Sequence, residues 1–266
     1  MRLAFANRPP NRCEVEKIRL ILSTFQDGTG QEGAGKLPGW RDFERTVATA
    51  LDGDASESKA VFDVLLANQE RPGSRRYGLS CKMRGELNRF DRDGRVTIEV
   101  SNSLGKFWDH LHAMGIDHAN YRTKPYESGV ALVDLVRHWH VAEHANRNIG
   151  LRRSYYLVLL WNKTGSYQLF QFRLNLFDEC GLRWYFREPG DHHREARCLC
   201  ADDGRGTIVE WYGESGGQLK FYPFSEDAIW QSAKFRLEPL SDIEGAILRK
   251  AEEYFPEAWA RACRGR

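Results

Sequence analysis

The sequence predicts an α/β fold: a central mixed β-sheet flanked by helices, with β-rich additions in the C-terminal half. Three observations carry this. Helix-period segments alternate with short β-branched runs up to about residue 145. A series of strand-like runs bounded by turn residues follows from residue 155. No internal repeat, low-complexity tract or flexible linker separates the two halves, so residues 1–266 are expected to form one domain, with a core at about 38–145 and a β-rich part at about 150–240.

Taken in order, residues 14–24 (EVEKIRLILST) have helical spacing and stop at a glycine-rich stretch, 27–39. That stretch is not a Walker loop, because Gly35-Lys36 is followed by Leu37 and no strand precedes it. Residues 40–51 (WRDFERTVATAL) form a helix with Phe43, Val47 and Leu51 on one face and Glu44 at its rim. Three strands are expected next: 60–66 (AVFDVLL), 76–87 (RYGLSCKMRGEL) and 95–101 (RVTIEVS). Asp91-Arg92-Asp93-Gly94 reads as the hairpin turn between the last two. Amphipathic helices follow at 104–114 and 130–145. Strands are expected at 155–161, 167–176, 182–186, 207–212 and 218–223, with 187–203 as a polar loop. A last helix is expected over 241–259, capped by Ser241 with Glu244 at the capping-box position.

Composition sets bounds. Formal charge is only +2, so nucleic-acid binding would rest on local basic surface, with Arg76, Arg84, Arg152 and Arg153 among the candidates. Residues 1–13 lack the apolar run of a signal peptide, and no window reaches the ~20 apolar residues of a membrane span. Six cysteines without a regular framework fit reduced thiols, so a cytoplasmic protein with no membrane partner is expected.

The chemistry concentrates in the three strands. Each sets one ionisable residue among apolar neighbours: Asp63, Lys82 and Glu99. Buried singly, such groups are costly; together they suit a hard-cation site, with Asp63 and Glu99 as oxygen ligands and Lys82 beside them. Ser80 lies two residues before Lys82, so the two share a strand face, while Cys81 faces the opposite way and its backbone carbonyl is a further oxygen donor. Glu44 would be projected into the site by its helix.

Asp63, followed at a distance by Ser80-Cys81-Lys82, resembles the PD-(D/E)xK nuclease superfamily, in the Ser-x-Lys form found among type II restriction endonucleases that cut CCGG-type sites. Phe62 stands where that pattern has proline, and Ser80 where it has its second acid. The resemblance spans residues 40–99. It implies a restriction-endonuclease-like core, Mg²⁺ as cofactor, and hydrolysis of double-stranded DNA at a specific sequence. Under it Asp63 and Glu99 hold metal, Lys82 acts on the attacking water, Glu44 and Ser80 support them, and the partners are a second copy of the chain and a cognate methyltransferase.

Two other readings stand beside it. His140-Val141-Ala142-Glu143-His144 matches the His-x-x-Glu-His pattern of inverted zinc peptidases, with Glu210 as a third ligand. Alternatively the β-rich half, with the glycine turn at 211–220 (WYGESGGQLK), is a non-catalytic DNA-binding module. Asp191-His192-His193 with Cys198-x-Cys200 is read as a polar loop in preference to a zinc site.

Overall fold

The computed structural model describes residues 9–27, 29, 37–55, 61–67, 76–101, 103–175, 178–187, 198–240 and 245–263. Most of the glycine-rich stretch, the Asp191–His193 motif and the Ser241 cap lie outside them.

Helix α1 (Arg12–Thr24) starts at a capping box, in which Asn11 Oδ1 accepts the Glu14 N–H at 2.9 Å and Glu14 accepts the Asn11 N–H at 2.8 Å. Helix α2 (Trp40–Leu51) buries Phe43, Val47 and Leu51, the face its spacing predicts, and ends at Asp52 in the left-handed region (φ 56°). Strands β1 (Asp54–Ala55), β2 (Val64–Leu66) and β3 (Tyr77–Arg84) follow, then helix α3 (Leu87–Asp93), strand β4 (Ile98–Ser101), and helices α4 (Leu104–Ala113) and α5 (Pro125–Arg147). The second half supplies β5 (Tyr155–Trp161), β6 (Ser166–Arg173), β7 (Arg183–Phe186), β8 (Leu199–Asp202), β9 (Thr207–Trp211), β10 (Leu219–Phe221), β11 (Trp230–Gln231) and β12 (Phe235–Arg236). Helices α6 (Ala246–Tyr254) and α7 (Pro256–Cys263) close the described chain.

The strands form two sheets. The first runs β1-β2-β3-β5-β6-β11, with β12 also on β6; β3 and β5 are parallel and its other pairs antiparallel. This is the expected mixed sheet flanked by helices. Alternation along β5 explains its unbroken apolar run. Leu157 and Leu159 join Leu79 and Cys81 against α1 and α2, while Tyr156, Val158 and Leu160 face a core shared with α4, α5 and the second sheet. The second sheet runs β4-β10-β9-β8-β7, all antiparallel. Its Leu199, Val209, Trp211 and Leu219 enter that shared core.

Several expectations are corrected. Asp91–Gly94 is not a hairpin turn: Leu87 and Phe90, one helical turn apart, draw 87–93 into a helix that Gly94 ends at φ 68°. Strands β3 and β4 therefore lie in different sheets, and the β-rich half contributes strands to both. The first expected strand begins only at Val64. Phe62 packs over Gly78, where a Cβ would stand 2.2 Å from its ring, but the Asp63 N–H still donates to the Leu79 carbonyl at 3.0 Å. The expected loop at 187–203 contains β8. The final helix is split at Pro256, which cannot donate an intrahelical hydrogen bond. Among the described residues no helix is long and apolar enough to cross a membrane.

Candidate active site beside the third strand

The site arises because β2 is shorter than β3. Pairing between them begins at Val64 opposite Leu79, and among the described residues no strand pairs with β3 from Cys81 to Arg84 along its β2-side edge. Asp63 stands where β2 would have covered that edge, and its Oδ2 accepts the Cys81 N–H at 2.7 Å. A strand residue turns its N–H and C=O to the same side, so the Cys81 carbonyl faces this edge too. The Cys81 side chain is buried on the α2 side, as its parity requires, and burial holds its thiol well above the ordinary range.

Ser80 and Lys82 point to the other face, in register with Tyr156 and Val158. Lys82 Nζ and Ser80 Oγ each lie 3.4 Å from Asp63 Oδ2, and both charged side chains are about one-fifth exposed. The structure thus assembles the Asp63–Ser80–Lys82 constellation that the sequence predicts. Glu44 reaches the same place from α2, and Glu99 from β4. With Asp63, Lys82 and Arg84 they line a cleft of about 510 Å³. Burial, then the Asp63 charge, pushes the Glu44 carboxyl up to about 7, against an ordinary 4.5; Lys82 pulls the other way.

Glu99 is not free to approach Asp63 closely. Its Oε2 accepts from Arg84 Nη1 at 3.0 Å, and Arg84 also reaches Glu86 at 3.2 Å. The carboxylate oxygens of Asp63, Glu44 and Glu99 do not all lie within 4.8 Å of one another. The donors are all oxygen: three carboxylates and the Cys81 carbonyl, with a raised Glu44 that a cation would relieve. Such a set fits Mg²⁺, which keeps several of its waters and does not need a tight protein cage.

From the sequence alone, Arg84 is named only as a basic candidate for nucleic-acid contact and Gln218 only as part of the 211–220 turn, and neither is assigned to this site. Arg84 lies two residues beyond Lys82, and strand parity alone puts it on the same face. Gln218 enters the cleft from the glycine turn. That turn is firmly held: a Cβ on Gly217 (φ 65°) would stand 2.5 Å from the Leu104 backbone, the Trp108 indole N–H donates to the Gly213 carbonyl at 2.9 Å, and Tyr121 donates to Glu214 at 2.5 Å.

The zinc-peptidase ligands are not brought together. His140 is buried against Phe62 and Tyr156, and burial lowers it to about 4. His144 Nδ1 lies 2.7 Å from the Ile149 carbonyl, and Glu210 lies in the second sheet. Cys198 and Cys200, expected in a polar loop, are instead buried at β8, with ligand atoms within 4.8 Å of Glu210. Glu210, however, is saturated. It accepts from Arg187 at 2.5 Å, Tyr222 at 2.6 Å and Tyr212 at 2.7 Å, and these donors outweigh burial and keep its pKa below the ordinary value.

No protein-family model, curated protein or solved structure matches the chain.

Proposed function

We propose that the chain is a metal-dependent phosphodiester hydrolase acting on DNA. More particularly, it is a Mg²⁺-dependent type II restriction endonuclease of the PD-(D/E)xK superfamily in its Ser-x-Lys form. The observation that carries this reading is the convergence of Asp63, Ser80 and Lys82 beside β3, in one cleft with Glu44 and Glu99.

In hydrolysis, a water oxygen attacks phosphorus, one P–O ester bond breaks, and the strand is left with a phosphate end and a hydroxyl end. Mg²⁺, when bound, would supply Lewis-acid stabilisation of the charge that builds on the phosphoryl oxygens. Asp63, Glu99 and the Cys81 carbonyl would hold the cation, with Glu44 in support. The Lys82 ammonium positions the attacking water and offsets transition-state charge in a partly desolvated cleft. Ser80 Oγ fixes the Asp63 carboxylate. Gln218 offers a donor and an acceptor to the substrate from a rigid turn. Double-stranded DNA is the partner on this reading. A homodimer suits a palindromic site, and a cytoplasmic location and a cognate methyltransferase protecting the host DNA follow from the restriction role.

The test is digestion of phage DNA with Mg²⁺ by the wild type and by Lys82→Ala. Discrete fragments from the wild type alone support the reading. Equal cleavage by both proteins would overturn the site, and binding without cleavage in any divalent metal would favour a binding module.

A further inference from the structure

His140 is a wall shared by two cavities. On one side is a 260 Å³ space reached by Asp63 and Lys82; on the other is a larger cavity of about 1020 Å³ that the proposed chemistry does not use. The larger cavity forms where β5 begins and β6 ends, between α5 and the 3-10 turn Leu151–Arg153. Its walls carry Arg137, Arg152, Arg153 and Arg173 and, among the described residues, no carboxylate. Arg137 is engaged by Glu179. Arg153 lies over the Tyr77 ring at 5.9 Å. Among the described residues, no carboxylate forms an ion pair with Arg152, Arg153 or Arg173.

Guanidinium groups around one cavity repel one another, and an anion placed among them is favoured by the same field. Two further features restrict the ligand. Gln171 stands in the wall, 1% exposed, with its carboxamide oxygen lacking a hydrogen-bond partner. An orphaned buried acceptor is costly, and a ligand amine relieves it. Leu151, Leu174 and Ile229 give the cavity an apolar side, which a phosphate alone would not use.

We propose that this cavity binds a nucleoside diphosphate whose base carries an exocyclic amine. Arg152, Arg153 and Arg173 take the phosphates through charge-assisted hydrogen bonds. The carboxamide oxygen of Gln171 accepts from the base amine, and the aliphatic side chains cover the base. This site is independent of the nuclease reading and stands if that reading fails.

The experiment is isothermal titration of the full chain with ADP, pyrophosphate and adenosine in turn. It is repeated on Arg152→Ala/Arg173→Ala, whose unchanged melting temperature verifies folding. ADP is expected to bind at one site, with pyrophosphate and adenosine each at least ~10-fold weaker, and the double variant should lose about 100-fold in ADP affinity, roughly tenfold per lost contact. No saturable binding of ADP, or equal affinity in the double variant, overturns the proposal. So does pyrophosphate binding as tightly as ADP, which would leave the apolar side and Gln171 without a role. Duplex DNA that displaces ADP and depends on the same two arginines would make the cavity part of a DNA surface and overturn it as well.

Discussion

The edge of β3 and the inner strands of the second sheet pose the same problem and resolve it in opposite ways. Each sets a carboxylate among apolar neighbours at a register fixed by backbone pairing. In the second sheet Glu210 meets Arg187, Tyr212 and Tyr222, all within 2.7 Å, and nothing is left over. At the edge of β3 Asp63 has one short donor, the Cys81 N–H, and two long ones at 3.4 Å; the Glu44 carboxyl beside it is raised to about 7 by burial and then by the Asp63 charge. A carboxylate saturated by its own chain contributes to the fold. Carboxylates crowded in a cleft with too few donors cost stability, and that cost is relieved by something that binds there.

Exchange of side chains at the two places should give the sharpest contrast. On the proposed nuclease reading, Asp63→Asn or Lys82→Ala should lower DNA cleavage by about 1,000-fold or more, because each removes a charge from the cleft that would hold the reacting phosphate. Binding of the same DNA in Ca²⁺ should persist. Glu210→Gln, measured per folded molecule, should cleave at the wild-type rate. A Glu210→Gln protein that folds normally and does not cut would break the comparison and move the active site to the second sheet.

Stability should reverse that order. Glu210→Ala leaves Arg187 and two tyrosine hydroxyls without their shared acceptor and should cost about 3 kcal/mol, as does breaking a buried ion pair. Asp63→Asn should cost little or even stabilise, since it relieves repulsion with Glu44. Urea unfolding of the two variants reads both values.

The sequence made the β3 site legible and the second sheet's network opaque, for a physical reason. Ser80, Cys81 and Lys82 are consecutive, so parity alone assigns their faces, and Asp63 is close enough along the chain to be their neighbour in an antiparallel pair. The α2 face followed from Phe43, Val47 and Leu51. What joins Glu210 to Cys200, or Glu99 to Lys220, is cross-strand register between segments far apart in sequence, and no local pattern encodes it. The mistaken hairpin at Asp91–Gly94 has the same root. Gly94 in the left-handed region serves a turn or a helix end equally, and only the packing of Leu87 and Phe90 decides between them.

Glu44 gives a pH signature that Glu210 should lack. A carboxyl with a folded value of about 7 against an ordinary 4.5 binds its proton more tightly in the fold. Its contribution to stability is complete below about pH 4.5 and is lost as pH rises through about 7. Glu44→Gln should therefore match the wild type at pH 4 and exceed it by roughly 1–2 kcal/mol at pH 8, after allowance for solvent screening. Saturating Mg²⁺ should erase that advantage, because a cation beside Glu44 favours the ionised form. Thermal melts at the two pH values, with and without Mg²⁺, supply all four numbers. An advantage that survives Mg²⁺ would remove Glu44 from the metal site.

The smallest expected effect concerns metal at the thiols. Cys198, Cys200 and Glu210 are close enough to suggest a soft-metal site, but a zinc ion there would compete with Arg187 and both tyrosines for the Glu210 oxygens. A zinc chelator should then leave the melting temperature unchanged, and Cys198→Ser should cost about 1 kcal/mol, a buried side-chain effect and not the loss of a metal centre. A large fall in melting temperature with chelator would show that this network is completed by a metal. The contrast between a saturated cluster and an open one would then become a contrast between a structural metal site and a catalytic one.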